Sequence, residues 1–363
     1  MDMEQLLQLP PYALEHDEKQ RMLTDMLKGL TAKHRWGCEE YGRILETLGY
    51  EEDRVQCPAD IPFLPVRLFK EYYLHSVPLE EIATTMTSSG TSGQQVSRIA
   101  LDAETSRNQK KVLHHIIASY IGEKRVPLLI LDSKSTLRDR KAFGARGAGI
   151  LGFSIFGRDV TYALDADMEL DLEAVQSFLE KHTGEPKLLF GYTFMIWQHF
   201  YLALKKLGQK LDFEGKAQLF HIGGWKKLQE LAVDDAAYNQ ALQEQCLIDS
   251  VHNYYGMAEQ LGSVYVTCEQ GHMHASNFSD VLIRNPLDWS VQLQGERGLI
   301  ELVSVLPGSY PGHAILTEDE GMVLGEDDCP CGRKGKYFQI LGRIKQAELR
   351  GCSDTYADKL GRN

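Results

Sequence analysis

The sequence predicts an α/β fold in which a large domain with a mainly parallel sheet precedes a smaller β-rich subdomain. The chain has 363 residues, enough to bury more than one hydrophobic core. Through its centre, short apolar runs alternate with helical patterns, which is typical of parallel strands joined by crossover helices. From about residue 261 the helical patterns stop, and strand-like runs follow one another between turn residues.

The N-terminal segment is expected to be helical. Apolar residues recur at helical spacing from about residue 13 to residue 48. The prolines between residues 58 and 65 then end any helix, because proline lacks the amide hydrogen that a helix needs. We expect an extended segment at 62–66 and a short helix at 68–74.

Four apolar runs in the centre of the chain are expected to be buried strands: 126–131, 187–190, 218–222 and 246–251. Helices are expected after the second run and after the third, the latter at 226–231. The strands of the β-rich part are expected at 262–267, 281–284, 299–303 and 314–317. The predicted domains are therefore an α/β core (1–260), a β-rich subdomain (261–345) and a C-terminal tail (346–363).

Charge and composition argue against several classes of protein. The formal net charge is -12, so a broad basic surface for nucleic acid or anionic lipid is not expected. No apolar run is long enough to span a bilayer, and acidic residues stand where a signal peptide would carry lysine or arginine. The seven cysteines are an odd number, which speaks against a disulfide framework. We expect a cytoplasmic protein.

A polar, glycine-containing loop is the most informative segment of the sequence. It consists of Thr87, Ser88, Ser89, Gly90, Thr91, Ser92 and Gly93. Glycine lets backbone amides turn toward an anion, and hydroxyls add donors that can surround a polyphosphate. The loop is not a Walker A motif, because no Gly-Lys-Ser/Thr closes it. Its composition alone would also fit a solvated surface loop.

The order Ser-Ser-Gly-Thr-Ser-Gly in this loop resembles the phosphate-binding loop of the adenylate-forming superfamily, which includes acyl-CoA synthetases. Four further segments follow in the order of that superfamily: 221–225 (His-Ile-Gly-Gly-Trp), 253–259 (Asn-Tyr-Tyr-Gly-Met-Ala-Glu), 316–319 (Leu-Thr-Glu-Asp) and 341–343 (Leu-Gly-Arg). The resemblance implies an enzyme that uses ATP and Mg²⁺ to activate a carboxylic acid as an acyl-adenylate. The acyl group would then pass to a thiol.

The resemblance also implies which residues hold the nucleoside. Gly223 and Gly224 would lie beside the adenine and the acyl group. Tyr254 or Tyr255 would stack on the adenine. Asp319 would bind the ribose hydroxyls.

Of the remaining motif residues, some would contact the phosphates or their Mg²⁺, and one corresponds to a hinge residue of the superfamily. Gly256 and Glu259 belong to the same segment as the tyrosines, and Glu259 would hold Mg²⁺ and serve catalysis. Ala258 stands where the superfamily commonly has threonine, so one hydroxyl contact to the α-phosphate is missing. Arg343 matches the arginine of the hinge.

Two segments near the ends of the chain narrow the resemblance further. Residues 61–70 (IPFLPVRLFK) and 348–353 (ELRGCS) look like signatures of the LuxE-type acyl-protein synthetases of bacterial luminescence. In that family a fatty acid is activated with ATP, transferred to a cysteine near the C-terminus and passed to an acyl reductase. The resemblance implies that Cys352 is this acceptor, because a thiolate readily attacks an acyl-adenylate.

Other functions remain open at this point. Larger adenylating enzymes continue into a mobile C-terminal domain, which we expect to be truncated here because the chain stops at Asn363. Coenzyme A or a carrier-protein thiol could be the acceptor, with Cys352 idle. A non-catalytic subunit that scaffolds a reductase or an acyltransferase is a third possibility.

A group of cysteines and histidines in the last third predicts a zinc site. Cys329 and Cys331 flank a proline, and Cys268 lies upstream with His272 and His274 close behind it. Three thiolates and one imidazole suit a closed tetrahedral Zn²⁺ site, which would be structural. A similar set occurs in phenylacetate–CoA ligase relatives of the superfamily and implies His274 as the ligand, with His272 as second choice. Unrelated side chains in a reduced core are the alternative.

Two other patterns are given no function. Residues 147–152 match G-x-G-x-x-G but do not follow a strand, so a close-packing loop is expected rather than a dinucleotide site. The aromatic residues between 190 and 200 could line an acyl pocket, but their spacing is more typical of a core.

Overall fold

A computed structural model describes residues 1–88, 96–137, 146–225 and 232–344. The chain forms two compact units. Unit 1 comprises residues 1–88, 95–120 and 256–348, and unit 2 comprises residues 89–94, 121–255 and 349–363. The domain organisation expected from the sequence (1–260, 261–345 and 346–363) divides the chain differently and stays a prediction.

The helices of the described residues are α1 (Met3–Leu6), α2 (His16–Gly37), α3 (Glu39–Thr47), α4 (Leu68–Glu71), α5 (Ala103–Ile121), α6 (Ala148–Ser154), α7 (Leu172–Lys181), α8 (Thr193–Met195), α9 (Leu202–Leu207) and α10 (Asp235–Cys246). A π-helix, Ile196–Tyr201, connects α8 and α9. The helix expected at 226–231 lies outside the described residues. The helix expected at 13–48 is present as α2 and α3, with a break at Cys38.

The strands of the described residues are β1 (Leu64–Pro65), β2 (Ile82–Thr87), β3 (Arg98–Asp102), β4 (Val126–Ser133), β5 (Gly157–Leu164), β6 (Lys187–Tyr192), β7 (Ala217–Ile222), β8 (Ser250–Tyr255), β9 (Tyr265–Thr267), β10 (Met273–His274), β11 (Ser279–Arg284), β12 (Gly298–Ser304), β13 (Ala314–Glu326) and β14 (Lys336–Arg343).

Unit 2 contains the parallel sheet that the sequence predicts. Its strand order is β8-β7-β6-β4-β5, and each neighbouring pair is parallel. Every residue of β6 is buried, as expected for a parallel strand covered on both faces. Residues of α7, α10 and the π-helix join the strands in one hydrophobic core. The α/β prediction is therefore confirmed.

Unit 1 contains an antiparallel sheet, with strand order β11-β12-β13-β14-β10-β9. The short strand β1 pairs with β13 in parallel, and β2 and β3 form a separate antiparallel pair. The β-rich part that the sequence predicts after residue 261 is present in this sheet. Helices α2, α3 and α5 belong to the same unit.

A buried carboxylate ties α2 to this antiparallel sheet. Asp280 on β11 is fully buried and accepts hydrogen bonds from Lys336 Nζ (2.8 Å) and Gln20 Nε2 (2.9 Å). The ammonium of Lys19, also buried, lies 3.7 Å from its second oxygen. Burial alone would raise the pKa of Asp280, but Lys336 and Lys19 hold it below its usual value. Removal of one charge from such a cluster typically costs about 3–5 kcal/mol.

Two local expectations are wrong. Residues 246–251 are not one strand, because α10 ends at Cys246, Leu247 adopts a positive φ of 49°, and β8 begins at Ser250. Residues 147–152 lie largely in helix α6 rather than in a loop. Close packing nevertheless explains why residue 149 is glycine, because a Cβ there would come within 2.4 Å of the Tyr192 hydroxyl.

Among the described residues, we find no helix that combines the length and the apolar character needed to cross a membrane. The aromatic residues Phe190, Phe194 and Phe200 are buried in unit 2, whereas Trp197 is only half-buried.

A pair of buried histidines stands out in the core of unit 1. The rings of His34 and His313 stack with centroids 5.0 Å apart. His34 Nε2 donates to the Pro307 carbonyl (2.9 Å), and the Ser76 hydroxyl lies 2.8 Å from Nδ1. Burial lowers the pKa of His34 to about 3 and holds that of His313 well below its usual value. Both imidazoles are therefore neutral in the folded protein near neutral pH.

The histidine pair predicts a loss of stability in acid. Below pH 6.5 the histidine of the unfolded chain binds a proton, whereas that of the folded chain stays neutral down to about pH 3. The free energy of unfolding therefore decreases as the pH is lowered from 6.5 to 3. Each such histidine contributes a slope of up to about 1.4 kcal/mol per pH unit. The measurement is urea unfolding at a series of pH values, for the wild type and His34→Asn. The variant is expected to have the shallower slope, and parallel curves would contradict the prediction.

Candidate active site and metal centre

The carboxyl edge of the parallel sheet in unit 2 brings several motif residues together. Gly223 directly follows β7, and Tyr254 and Tyr255 end the neighbouring strand β8. The register pairs Ile222 with Tyr254. Gly223 has a φ of 84°, a left-handed conformation that favours glycine. Ligands of open parallel sheets bind at this edge, so the placement suits a binding site.

A buried hydrogen-bond chain fixes the backbone at Gly223. The Thr193 hydroxyl donates to the Gly223 carbonyl (2.7 Å) and lies 2.9 Å from His221 Nδ1. The Tyr238 hydroxyl donates to the Thr193 carbonyl at 3.1 Å. Burial lowers the pKa of His221 to about 3, so its neutral ring can donate from Nδ1 to Thr193. Sequence reasoning missed Thr193, because its partners are close only in the folded chain.

The two tyrosines of β8 have different surroundings. The ring of Tyr254 packs edge-on against Phe153 at 5.6 Å, and Phe153 stacks on Phe190 at 4.0 Å. Burial raises the pKa of the Tyr254 hydroxyl, although the side chain as a whole is half-buried. Successive residues of a strand point to opposite faces, so Tyr255 does not share the packing of Tyr254.

Unit 1 holds the candidate Mg²⁺ ligand, Glu259. It lies in a 3₁₀ turn, Ala258–Gln260, and its side chain is only 6% exposed. Burial raises the pKa of its carboxyl, and Ser97, Lys70 and Arg343 oppose that effect. A buried carboxylate with a raised pKa fits a cation ligand, since a bound cation favours the ionised form.

Asp319 and Arg343 lie directly opposite each other on β13 and β14. Arg343 Nε is 3.4 Å from Asp319 Oδ1, and the Asp319 amide donates to the Thr317 hydroxyl at 3.1 Å. The Asp319 side chain is 15% exposed and that of Arg343 is 43% exposed. Unit 1 therefore brings together two predicted site residues that are more than twenty positions apart in the sequence.

The polar glycine loop is described only at its start. Thr87 ends β2, and the Ser88 amide donates to the Ser97 carbonyl (3.0 Å). The Ser97 amide also donates to Ser88 Oγ (2.9 Å), so two hydrogen bonds join the residues at the base of the loop. Ser89, Gly90, Thr91, Ser92 and Gly93 lie outside the described residues, as does Cys352.

The four predicted zinc ligands form one cluster in unit 1. The sulfurs of Cys268, Cys329 and Cys331 and one ring nitrogen of His274 all lie within 4.8 Å of one another. Cys268 Sγ is 3.9 Å from Cys329 Sγ, and Cys331 Sγ is 3.4 Å from His274 Nε2. The three thiols are free, and all four side chains are buried except the half-buried Cys331.

Backbone turns direct amide groups at two of the sulfurs. The Gln270 amide donates to Cys268 Sγ and the Arg333 amide to Cys331 Sγ, both at 3.4 Å. Gly271 and Gly332 close the two turns with φ values of 77° and 82°, where glycine is favoured. Amide donors stabilise thiolates, which are the form that binds metals.

The two histidines near the cluster differ in position. Burial lowers the pKa of His274 to about 3, so its imidazole is neutral and Nε2 can bind a metal. His272 stacks on Tyr337 at 4.7 Å, and its Nδ1 lies 3.3 Å from Cys329 Sγ. His272 is thus placed as a hydrogen-bond partner of a ligand, and the donor set of three sulfurs and one nitrogen fits a closed tetrahedral Zn²⁺ site.

The acyl-protein synthetase family LuxE matches residues 2–361 of the chain. The chain belongs to this family. A long-chain-fatty-acid–luciferin-component ligase of Vibrio harveyi is 25% identical over 357 residues, which cover 93% of this chain and 87% of the relative. The ligase of the same name from Aliivibrio fischeri is 24% identical over 327 residues, covering 86% and 82%. The protein is an ATP-dependent acyl ligase.

Solved structures agree on the fold. A 2-hydroxyisobutyryl-CoA ligase, in an open conformation with 2-HIB-AMP and CoA, matches with a TM-score of 0.69. It shares 16% sequence identity, and the match covers 94% of this chain and 79% of that structure. The fold is therefore that of the adenylate-forming ligases.

The contact at Gly223 predicts the effect of Thr193→Val. The change removes the donor to a backbone carbonyl and leaves buried polar groups unpaired, which should cost about 1–3 kcal/mol in the free energy of unfolding. Thr183→Val is the matched control, because the exposed Thr183 hydroxyl also bonds to backbone carbonyls. Urea unfolding at pH 7.5 checks the prediction. Equal losses in the two variants would contradict the role of Thr193.

Proposed function

We propose that this enzyme activates a carboxylic acid, a long-chain fatty acid by preference, as an acyl-adenylate and transfers the acyl group to a protein thiol. The family match over residues 2–361 carries the proposal. The buried Glu259 supports it, because a carboxylate in that environment suits a cation bound to phosphates. The fatty-acid preference rests on the named substrate of the two relatives.

The first step requires that the acid and ATP are bound together and that the negative charge of the phosphates is neutralised. A carboxylate oxygen of the acid attacks the α-phosphorus of ATP, and pyrophosphate leaves with the bonding electrons. Mg²⁺, when bound at Glu259, supplies positive charge on the phosphates. Thr87, Ser88 and the remaining loop residues (Ser89, Gly90, Thr91, Ser92 and Gly93) would donate hydrogen bonds to them.

The nucleoside would be held by residues that the sheets position. Gly223 and Gly224 leave room for close approach to the backbone at the end of β7. Because Tyr254 is packed against Phe153, we assign adenine stacking to Tyr255, next to Gly256. Asp319 would accept hydrogen bonds from the ribose hydroxyls.

Cys352 is the proposed acyl acceptor within this chain. The family description names a protein as the product of acylation, and a thiolate converts the reactive acyl-adenylate into a thioester. The thioester would then pass to a partner protein, either an acyl reductase or an acyl carrier. A cytoplasmic location is proposed with it, since the free thiols suit a reducing compartment.

Zn²⁺ is the proposed occupant of the Cys268–His274–Cys329–Cys331 cluster. All four donors converge, and thiolate-rich tetrahedral sites select zinc. The ion would leave no open position for substrate, so its role would be to stabilise the turn between β13 and β14.

Acid-dependent exchange of pyrophosphate into ATP tests the adenylation step. The purified full chain, with Mg²⁺, is assayed against fatty acids from acetate to palmitate and against aryl acids. We expect exchange with long-chain acids. Absence of exchange with every acid, from folded protein that binds ATP, would favour a partner-dependent or non-catalytic subunit.

Cys352→Ser separates the transfer step from adenylation. The variant should retain exchange and lose the hydroxylamine-sensitive acyl-enzyme formed with labelled acid and ATP. Cys57→Ser, which changes a half-buried thiol elsewhere, should keep both activities. If Cys352→Ser still becomes acylated, the acceptor lies elsewhere. If the wild type acylates only coenzyme A or a carrier protein, Cys352 is idle.

Metal analysis tests the zinc proposal. Protein purified without chelator should carry about one zinc per chain, and Cys329→Ser should lose it, with Cys57→Ser as the control that keeps it. Loss of a structural metal should lower the thermal midpoint by roughly 5–10 °C, equivalent to a few kcal/mol. Metal-free wild-type protein with reduced thiols and an unchanged midpoint would refute the site.

A further inference from the structure

The chain directly after β7 is anchored at both ends. At one end, the Gly223 carbonyl accepts a hydrogen bond from the Thr193 hydroxyl at 2.7 Å. At the other end, the indole of Trp225 packs edge-on against the ring of Tyr238, with the ring centroids 6.0 Å apart. Gly224 lies between these two anchors, so its backbone is held in place by contacts that its neighbours make.

Tyr238 joins the two anchors. Its side chain is buried, its ring contacts Trp225, and its hydroxyl donates to the Thr193 carbonyl at 3.1 Å. The Thr193 hydroxyl has one proton, which it donates to the Gly223 carbonyl, so it accepts from His221 Nδ1 at 2.9 Å. Buried hydrogen bonds of this kind, once satisfied, hold their members rigidly. The peptide group between Gly223 and the next residue is therefore fixed in one orientation.

This orientation decides where the Gly224 amide points. A trans peptide group is planar, with its carbonyl and its N–H on opposite sides. The Gly223 carbonyl points toward the buried Thr193, so the Gly224 N–H points away from that hydrogen-bond network. Within residues 1–88, 96–137, 146–225 and 232–344, no group accepts a hydrogen bond from this amide. The amide is a rigidly placed donor at the carboxyl edge of a parallel sheet, where such sheets bind ligands.

The space around Gly224 is open. Its φ lies outside the left-handed region, so the backbone conformation does not require glycine. A Cβ built at this position has no described atom within 4 Å, whereas a Cβ at Gly149 would collide with Tyr192. Neither conformation nor packing among the described residues accounts for a glycine at 224. Close approach of a ligand to the backbone accounts for it, because only glycine leaves the amide uncovered.

The side chains beside this donor indicate which ligand it suits. The half-buried indole of Trp225 contacts Trp197 at 5.6 Å, and Trp197 stacks on Tyr201 at 4.4 Å. These rings form an apolar surface next to the amide. A carboxylic acid with an apolar chain has both complementary parts, since its carboxylate accepts a hydrogen bond and its chain packs on aromatic rings.

We propose that the Gly224 amide donates a hydrogen bond to the carboxylate of the acid substrate, and that Thr193 and Tyr238 are positioning residues for this donor. The proposal rests on the adenylation function proposed above. One carboxylate oxygen attacks the α-phosphorus, while the other accepts from Gly224 and becomes the carbonyl oxygen of the acyl-adenylate. The amide keeps its proton throughout. Because the donor is already oriented before the acid binds, no reorganisation is needed at that moment.

The test compares Gly224→Ala with the wild type in the exchange assay, once with the acid varied and once with ATP varied. The added methyl group takes up the space through which the carboxylate reaches the amide. We expect kcat/KM for the acid to fall by roughly 10- to 100-fold, as for the loss of one hydrogen bond to a charged group, and KM for ATP to stay unchanged. Gly152→Ala is the matched control, because Gly152 is also half-buried in unit 2 and a Cβ there has no described atom within 4 Å.

The positioning role of Thr193 has its own measurement. Thr193→Val should raise KM for the acid, and Thr193→Ser, which keeps the hydroxyl, should restore it. Tyr238→Phe should also raise KM for the acid, because it removes the hydrogen bond to the Thr193 carbonyl. In the Gly224→Ala background, Thr193→Val should add little, since the contact that Thr193 positions is already blocked. Fully additive losses would assign Thr193 to structure alone and overturn its positioning role.

Three results would overturn the assignment of the Gly224 amide. The first is an unchanged KM for the acid in Gly224→Ala. The second is a rise in KM for ATP rather than for the acid, which would place the methyl group against the nucleotide. The third is a lowered thermal midpoint in Gly224→Ala but not in Gly152→Ala, which would show that residue 224 is a glycine for structural reasons.

The failure of this proposal and the failure of adenylation give different results. If the wild type exchanges and Gly224→Ala does so equally well, the Gly224 amide is excluded and adenylation stands. If the wild type exchanges with no acid, adenylation is excluded, and calorimetric titration with decanoate decides the role of the amide. Weaker binding of decanoate to Gly224→Ala than to the wild type would support the contact, and equal binding would overturn it. If the wild type neither exchanges nor binds decanoate, both proposals fall.

Discussion

The buried carboxylate of Asp280 is the constraint on which the arrangement of unit 1 depends. A charge removed from water must be paired, and its partners come from α2 and from the first residue of β14. Lys336 therefore fixes where β14 begins, directly after the turn that carries Cys329 and Cys331. The same strand ends at Arg343, opposite Asp319. One ion network thus sets the start of β14, and the pair β13–β14 carries the cysteine turn between its strands and the Asp319–Arg343 pair further along.

Glu259 differs from Asp280 in how far neighbouring charges compensate its burial. Asp280 has two lysines and a glutamine around it, and its pKa is held low despite burial. Glu259 is almost as buried, yet the pKa of its carboxyl is raised, because the surrounding charges compensate less of its desolvation. A carboxylate left under-compensated in the folded protein gains most from a bound cation. The two buried acids therefore differ in kind: the charge of Asp280 is compensated within the fold, and that of Glu259 is compensated less.

Sequence reasoning recovered the fold where patterns are local and repeated. Alternation of apolar runs and helices predicted the parallel strands β4, β6 and β7. The pattern of cysteines and histidines predicted the group of Cys268, His274, Cys329 and Cys331 that the fold brings together. The roles that motif order gives to Glu259 and Asp319 stay predictions. The boundary at Cys246 was misplaced, because a left-handed residue at Leu247 ends the helix and periodicity does not reveal it. Thr193 was missed for another reason. Its importance comes from partners distant in sequence, and no spacing rule marks it.

The π-helix Ile196–Tyr201 has a consequence for how this protein can diversify. A π-helical turn contains one more residue than the α-helical register needs, and it places Trp197 and Tyr201 in a stack at 4.4 Å, with Trp225 also against Trp197. Loss of one residue here would restore the α-helical register, so the side chains after the turn would keep their faces and those within it would shift by up to about 100° around the helix axis. A single-codon deletion would thereby exchange the aromatic surface beside Gly224 for another one, while the strands of the parallel sheet kept their positions.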